Sequence, residues 1–419
     1  MDNNSYEVIL MKKTISIGII FLMLIGTVIG FGGCSQKHIY DDQTVSLNEV
    51  SKRNIDMELY VREDTKLGKY EPFSGIYLGS YVEKNKDINK DILTFEEITG
   101  HTQTFKVFQY TLEEGLSSQE ILKCMAQRKV PYIKLLLGKD FDLSPLYRMI
   151  SDIKASYNVP IFIELFPLSG RLTDSIAYKE TYQRAYEVVK KYLDQAVVVW
   201  SIDDSRLYDM PLYYPGDEFV DWAGINIYIP QYKNGMRYTA DHEEAIDFWY
   251  KSFQKTKPMM ISSLAISHFS RVDHTYTLQD AQNKLGLFYK EILSVYPRIK
   301  GVLYIDVDME QVSKSGKEDY RITSQKQLAD YMKKIFKSED FLEGIEETED
   351  EKEIPVFMKY SIVAAQFDEE LYLPKKYMGI LFKKVPLSKL GVIEDLNGDK
   401  FYKLEDISKY AEIYYKKQQ

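Results

Sequence analysis

From Phe73 to Asp308 the chain changes hydrophobic period again and again, and few folds accommodate that rhythm. Short apolar runs that read as strands are "GIYLGSYV", "TFKVFQYTL", "VPYIKLLLG", "PIFIELF", "AVVVWSI", "VDWAGINIYI", "PMMISSLAI" and "KGVLYIDVD". Helical runs with apolar residues three or four apart fall among them, as in "SPLYRMISDIKASYN" with Leu146, Ile150 and Ile153 on one face. Eight strands with intervening helices over roughly 240 residues is the count of a closed (β/α)8 TIM barrel, an α/β fold. An open doubly wound sheet would carry a glycine-rich phosphate turn after its first strand, and none is present.

The flanks differ from this core. Met11-Lys12-Lys13 precedes the apolar run "TISIGIIFLMLIGTVIGFGG", which meets Cys34. A positive start, an apolar stretch and small residues before the break describe a secretory signal. "GFGGCSQ" resembles a bacterial lipobox, with Cys34 as the residue that would carry lipid. A plain transmembrane anchor is the alternative, since the run is just long enough to span a bilayer. Either way the expected location of residues 35–419 is extracytoplasmic, tied to the bacterial membrane. The expected organisation is a signal peptide over 1–34, a polar tether over 35–70, the barrel over 71–342, the acidic linker "EGIEETEDEKE" over 343–354, and a small α+β module over 355–419. In that last module Asn397-Gly398 signals a hairpin turn. "GDKFYKLEDISKYA" resembles the small copper-amine-oxidase-like stalk repeats of secreted bacterial proteins.

Composition narrows the partners. The net charge of −9 is spread without a basic stripe, which argues against nucleic acid. Five scattered histidines show no metal-ligand spacing, so no metal or other cofactor is expected. The second cysteine, Cys124, lies on a helical face with Ile121 and Met125 and reads as buried. The 34 tyrosines suit sugars, whose rings have apolar faces edged by hydroxyls, although a Tyr-rich proteome yields the same number.

Residues 213–230, "YYPGDEFVDWAGINIYIP", resemble glycoside hydrolase family 26, the β-mannanases and their relatives. The matching positions are Tyr214, Pro215, Gly216, Asp217, Val220, Asp221, Trp222, Gly224 and Ile225. "VVVWSIDD", "KPMMIS" and "YPRIKGVLYIDVD" follow the family's order, and the similarity runs over about residues 72–341. The resemblance implies a retaining glycosidase, which needs two carboxylates about 5–5.5 Å apart. It places the acid/base after the fourth strand, where Phe166 falls at the family's His, Ser169 at its Asn, and Pro167 or Leu168 at the Glu. It places the nucleophile after "KPMMI", where Ser262 and Ser263 stand. Both carboxylates are absent. A Ser263/His268/Asp306 triad lacks the glycine pattern of a nucleophile elbow.

Three carboxylates remain as fallback catalytic candidates: Glu164, in mid-strand among apolar residues, and Asp203 and Asp306 at strand ends. Asp204 and Asp308 lie beside the last two, and such strand-end aspartates also cap helices. The candidate ligand-binding residues are Trp200, Asp203, Tyr228 and His268. Trp200 and Tyr228 occupy positions that in the family lie in or beside the sugar cleft. The reading is therefore a surface lipoprotein with a degenerate family-26-like barrel, binding a polysaccharide or a cell-envelope component. The alternatives are an active glycosidase with relocated carboxylates and an envelope scaffold served by its C-terminal module.

Overall fold

The computed structural model describes residues 9–10, 45–46, 52–137, 142–156, 159–168, 174–240, 242–346, 353–395 and 397–417. Cys34 and the apolar run that precedes it lie outside these residues, as do Ser169 and Gly170. Among the described residues no helix is long and apolar enough to cross a membrane. The chain divides into two compact units, one over Asp64–Val356 and one joining Met1–Glu63 to Phe357–Gln419.

The larger unit is a closed parallel barrel. Its strands are β1 (Ile76–Tyr81), β2 (Phe105–Thr111), β3 (Val130–Leu136), β4 (Ile161–Leu165), β5 (Ala196–Asp203), β6 (Trp222–Ile229), β7 (Met259–Ile266) and β8 (Ile299–Ile305). Each pairs with its sequence neighbour, and β8 closes on β1 with Gly301 opposite Tyr77 and Ile305 opposite Tyr81. All eight coincide with the apolar runs of the sequence. Buried on both faces, they read as continuous apolar stretches rather than as alternating ones.

Helices α1 (Ile92–Thr99), α2 (Ser118–Ala126), α3 (Ser144–Ser156), α4 (Ser175–Tyr192), α5 (His242–Phe253), α6 (Leu278–Gly286) and α7 (Lys326–Ile335) flank the barrel. The Asp174 side chain caps α4, accepting from the Ile176 and Ala177 amides. The apolar pattern did not indicate α1, which buries only Ile92, Phe95 and Thr99 and is too short to establish a period.

The period of two along each strand separates inside from outside. Tyr77, Phe105, Tyr132, Phe162, Trp222, Met260 and Leu303 point inward and fill the N-terminal half of the barrel. Their rings pack edge to face, with Phe105 and Phe162 centroids 4.8 Å apart and Phe162 and Trp222 5.5 Å apart. The interior is a packed plug, not a pore. Chemistry is left to the C-terminal ends of the strands.

The smaller unit is built on a mainly antiparallel sheet. Arg53–Lys66, read from sequence as tether, is a strand here and pairs with Ile413–Lys417, Tyr60 opposite Tyr414. Its buried Met57, Leu59 and Val61 alternate with more polar residues, a half-buried strand pattern obscured by the charged neighbours. They share a core with Ile362, Leu373, Ile407 and Ile413 from the C-terminal segment.

Candidate functional site

Above the aromatic plug the barrel interior turns polar. Lys134 on β3 and Glu164 on β4 are neighbours in register and are both buried. Lys134 Nζ lies 2.8 Å from Glu164 Oε2, 2.7 Å from Ser263 Oγ and 3.3 Å from Asn226 Oδ1. An ammonium has three N–H donors, and three acceptors surround this one. The carboxylate is equally occupied: the Tyr132 hydroxyl donates to Oε2 at 2.9 Å, and the Ser201 hydroxyl donates to Oε1. Asn226 donates to Ser201 Oγ at 3.2 Å and accepts from Ser262 Oγ at 3.0 Å, which joins β5, β6 and β7 to the pair. Burial, and then the charge of Glu164, raise the Tyr132 hydroxyl well above its ordinary pKa, so it stays a donor.

This network explains two features of the sequence. A charge buried in an apolar medium must be paired and hydrogen-bonded, and mid-strand Lys134 in "VPYIKLLLG" is the partner that Glu164 requires. Gly224 is small because a Cβ there would lie 2.8 Å from Ser262 Oγ and 2.9 Å from Ser201 Cβ.

At the rim the candidates separate. Asp203 ends β5, opposite Asn226 on β6. Burial first, and then the neighbouring charge of Asp204, push its carboxyl up to about 6, while its hydrogen bond to Asn226 pulls the other way. Its buried Oδ1 accepts no hydrogen bond from the described protein. Asp306 is also pushed up to about 6 by burial, but both its oxygens are taken. Thr323 donates from its amide at 3.2 Å and its hydroxyl at 2.6 Å, and Asn85 Nδ2 donates at 2.7 Å. Asp204 bonds His242 at 2.7 Å, and Asp308 is held by Arg271 at 2.8 Å and by Arg321. Asp204 and Asp308 are thus structural ties.

Two aromatic candidates have opposite fates. Trp200 is fully buried on the outside of the barrel, edge-on to Tyr214 at 5.1 Å and packed on Phe253. It shows no face to a ligand, because even positions on β5 point toward the helices. Tyr228 is 41% exposed at the mouth, and its hydroxyl reaches down to Ser263 Oγ at 3.2 Å. Exposed Tyr208 and Tyr276 stand on the loops after β5 and β7, on the same face of the barrel.

His268 is buried against Ser324 at 3.4 Å and Asp319 at 3.8 Å, and burial lowers its pKa. Ser263, His268 and Asp306 therefore have separate partners and form no triad. As a ligand residue His268 is likewise closed off. Among the described residues no group of three or more His, Cys, Asp and Glu side chains is arranged to hold a metal ion. Cys124 is buried, and its thiol is pushed up to about 12 by that burial.

Comparison with known proteins meets part of this geometry, at Ser201, Asp203, Asn226 and Tyr228. Residues 170–248, which include β5 and β6, match the model of Glycosyl hydrolase family 26. A β-1,3-xylanase of a Vibrio species, TXYA, is 23% identical over 163 residues, 34% of this chain. The chain spans about a third of the length of that curated relative, as the same alignment covers 34% of it. The barrel is family-26-like.

Among solved structures, a family 26 β-mannanase of Bacteroides ovatus aligns with a TM-score of 0.44 at 12% identity, over 64% of this chain and 90% of its own. The catalytic domain of a family 26 endo-β-1,4-mannanase from a Bacillus species aligns with a TM-score of 0.46 at 12% identity, over 65% and 89%.

Within the family-26-like barrel, the positions that the resemblance assigns to the two carboxylates carry none. After β4 the backbone passes through Phe166, a non-glycine residue at φ +49°, and Leu168 then bridges to Ile202 on β5. Leu168 is buried in the outer core and Pro167 is partly exposed. On β7, Ser262 and Ser263 both face the interior, because the register shifts between Ile261 and Ser263. Sequence reasoning missed Lys134, Tyr132, Ser201 and Asn226. The lone lysine in an otherwise apolar strand, next door to a strand with a lone glutamate, was the available signal.

Proposed function

We propose that the chain is an extracytoplasmic surface lipoprotein whose family-26-like barrel has lost hydrolysis and binds a polysaccharide or cell-envelope component on its C-terminal face. One observation carries the loss of reaction. Where a retaining glycosidase sets two carboxylates about 5–5.5 Å apart, this barrel sets a serine whose hydroxyl accepts from Lys134 at 2.7 Å and from Tyr228 at 3.2 Å. The nearby carboxylate, Glu164, is neutralised by that same lysine at 2.8 Å. A proton shuttle has to gain and lose its proton, and an oxocarbenium-like transition state needs uncompensated negative charge. A saturated carboxylate in a buried ion pair supplies neither. Binding is a separate matter. Exposed Tyr208, Tyr228 and Tyr276 stand on the rim, where aromatic side chains suit the apolar face of a sugar.

A second reading, an active glycosidase with relocated carboxylates, is favoured by Asp203 alone. Its carboxyl, pushed up to about 6, is that of a general acid. It lacks an unoccupied second carboxylate, since Glu164 and Asp306 have their oxygens committed.

The test is reducing-end release from mannan, mixed-linkage glucan, β-1,3-xylan and peptidoglycan by the purified, folded chain at high concentration and long incubation. Turnover abolished by Asp203→Asn or Glu164→Gln, but kept in Ser263→Ala, would establish relocated chemistry. The expected result is no turnover, with one of these polymers retained in binding assays and released by Tyr228→Ala.

A further inference from the structure

The smaller unit holds a cavity of 520 Å³ that the barrel reading leaves unused. Four lysines line it, Lys52, Lys375, Lys376 and Lys400, against one carboxylate, Asp399. The Asn397-Gly398 turn forms part of its edge, with Gly398 at φ +80°. Its apolar lining comes from Val363, Ala365 and Phe401. Ala365 and Phe401 belong to a small cluster with Phe367 and Tyr372 that is distinct from the main core of the unit. The site is therefore a basic rim over an apolar floor.

The lysines are not equally engaged. Lys52 bonds Asp395 at 3.1 Å and lies 4.3 Å over the Phe401 ring, and Lys400 stands 3.8 Å from Glu394. Lys375 and Lys376 are exposed and have no carboxylate partner among the described residues. The Tyr377 ring lies 4.9 Å from Lys376 Nζ. Residues 355–419 carry eleven lysines against nine acidic residues in a chain whose net charge is −9. The module is thus locally basic in a molecule that repels polyanions as a whole, so any anion it captures is held by local contacts.

We propose that this cavity binds an anionic polysaccharide, a polymer whose repeating sugars carry carboxylate or phosphate groups. Exposed Val363 gives the sugar an apolar contact, and Lys375 and Lys376 take the anion beside it. The two parts of the site match the two parts of such a unit. This site is independent of the barrel reading and stands or falls without it.

The test is affinity electrophoresis and titration of the full chain, purified in mild detergent, against polygalacturonate, phosphomannan, polyphosphate and neutral mannan, with phosphatidylglycerol vesicles as a competitor. Retention by polygalacturonate alone assigns carboxylate as the anion, and retention by a phosphorylated glycan such as phosphomannan assigns phosphate. Lys375→Ala/Lys376→Ala is expected to weaken binding about tenfold, and added salt to weaken it in the parent, as for exposed charges in contact. The control Lys383→Ala/Lys384→Ala removes an exposed lysine pair outside the cavity and is expected to change binding less than about twofold. Equal loss in both variants would reduce the site to diffuse charge and overturn the proposal. So would binding to polyphosphate or vesicles without binding to any charged polysaccharide, or no binding at low salt.

Discussion

Replacing Lys134 by methionine keeps the length of the side chain and removes its charge. Glu164 then sits fully buried with hydrogen bonds from Tyr132 and Ser201 but no cation. Removing one partner of a buried pair typically costs about 3–5 kcal/mol, because the remaining charge cannot be solvated. At about 2–4 °C per kcal/mol for a domain near this size, the barrel should melt on the order of 10 °C lower. Replacing both residues by methionine removes the stranded charge. The cost left is that of Tyr132, Ser263, Asn226 and Ser201 losing partners, about 1–3 kcal/mol. The double variant should therefore be more stable than Lys134→Met alone, with a coupling of at least roughly 2 kcal/mol. Urea unfolding followed by tryptophan fluorescence isolates the barrel, since all three tryptophans, Trp200, Trp222 and Trp249, are buried there. A Lys134→Met cost under about 1 kcal/mol, or single-variant costs that simply add, would refute the view of a neutralised, closed polar core.

Other outcomes follow from single contacts. Asp203 keeps its proton up to about 6 in the folded chain and only to about 4 when unfolded. The folded state thus holds more protons in that window, and this group's contribution to stability falls as pH rises through it. Asp203→Asn should gain up to about 2–3 kcal/mol over the parent at roughly pH 8 and nothing near pH 3.5, read by urea titrations at the two pH values. Gly224→Ala pushes a methyl into Ser262 and Ser201 and should cost about 1–3 kcal/mol, with part of it recovered in Gly224→Ala/Ser262→Gly. Tyr228→Ala should weaken glycan binding about tenfold, from a lost stacking face, while Trp200→Phe leaves binding unchanged and lowers stability. Placing a glutamate at Pro167 alone should give no reducing-end release, since Ser263 still supplies no second carboxylate for a retaining pair.

The eight strands were legible because a parallel barrel strand is buried on both faces, and an apolar run bounded by turns reports that directly. The helix Ile92–Thr99 was not, because eight residues give too few turns to show a period. Strand Arg53–Lys66 was hidden by its charges. Arg62 pairs with Glu412, a partner 350 residues away that no local pattern reveals. For the site, the sequence supplied the serines at 262 and 263 and the odd position of Glu164. It could not say that Ser263 and Lys134 meet, since they are 129 residues apart and come together only when β3 and β7 face each other across the closed barrel.

Read alone, the chain determined its architecture and that Pro167, Leu168, Ser262 and Ser263 stand where the resemblance to family 26 would place two glutamates. Those follow from hydrophobic period and residue identity, which are local properties. The tertiary structure decided what surrounds those positions. Strand parity sent Trp200 outward and Tyr228 to the open mouth. Closure of the barrel brought a lysine against the one mid-strand carboxylate. Charge compensation depends on distance through space, and only the fold sets that distance.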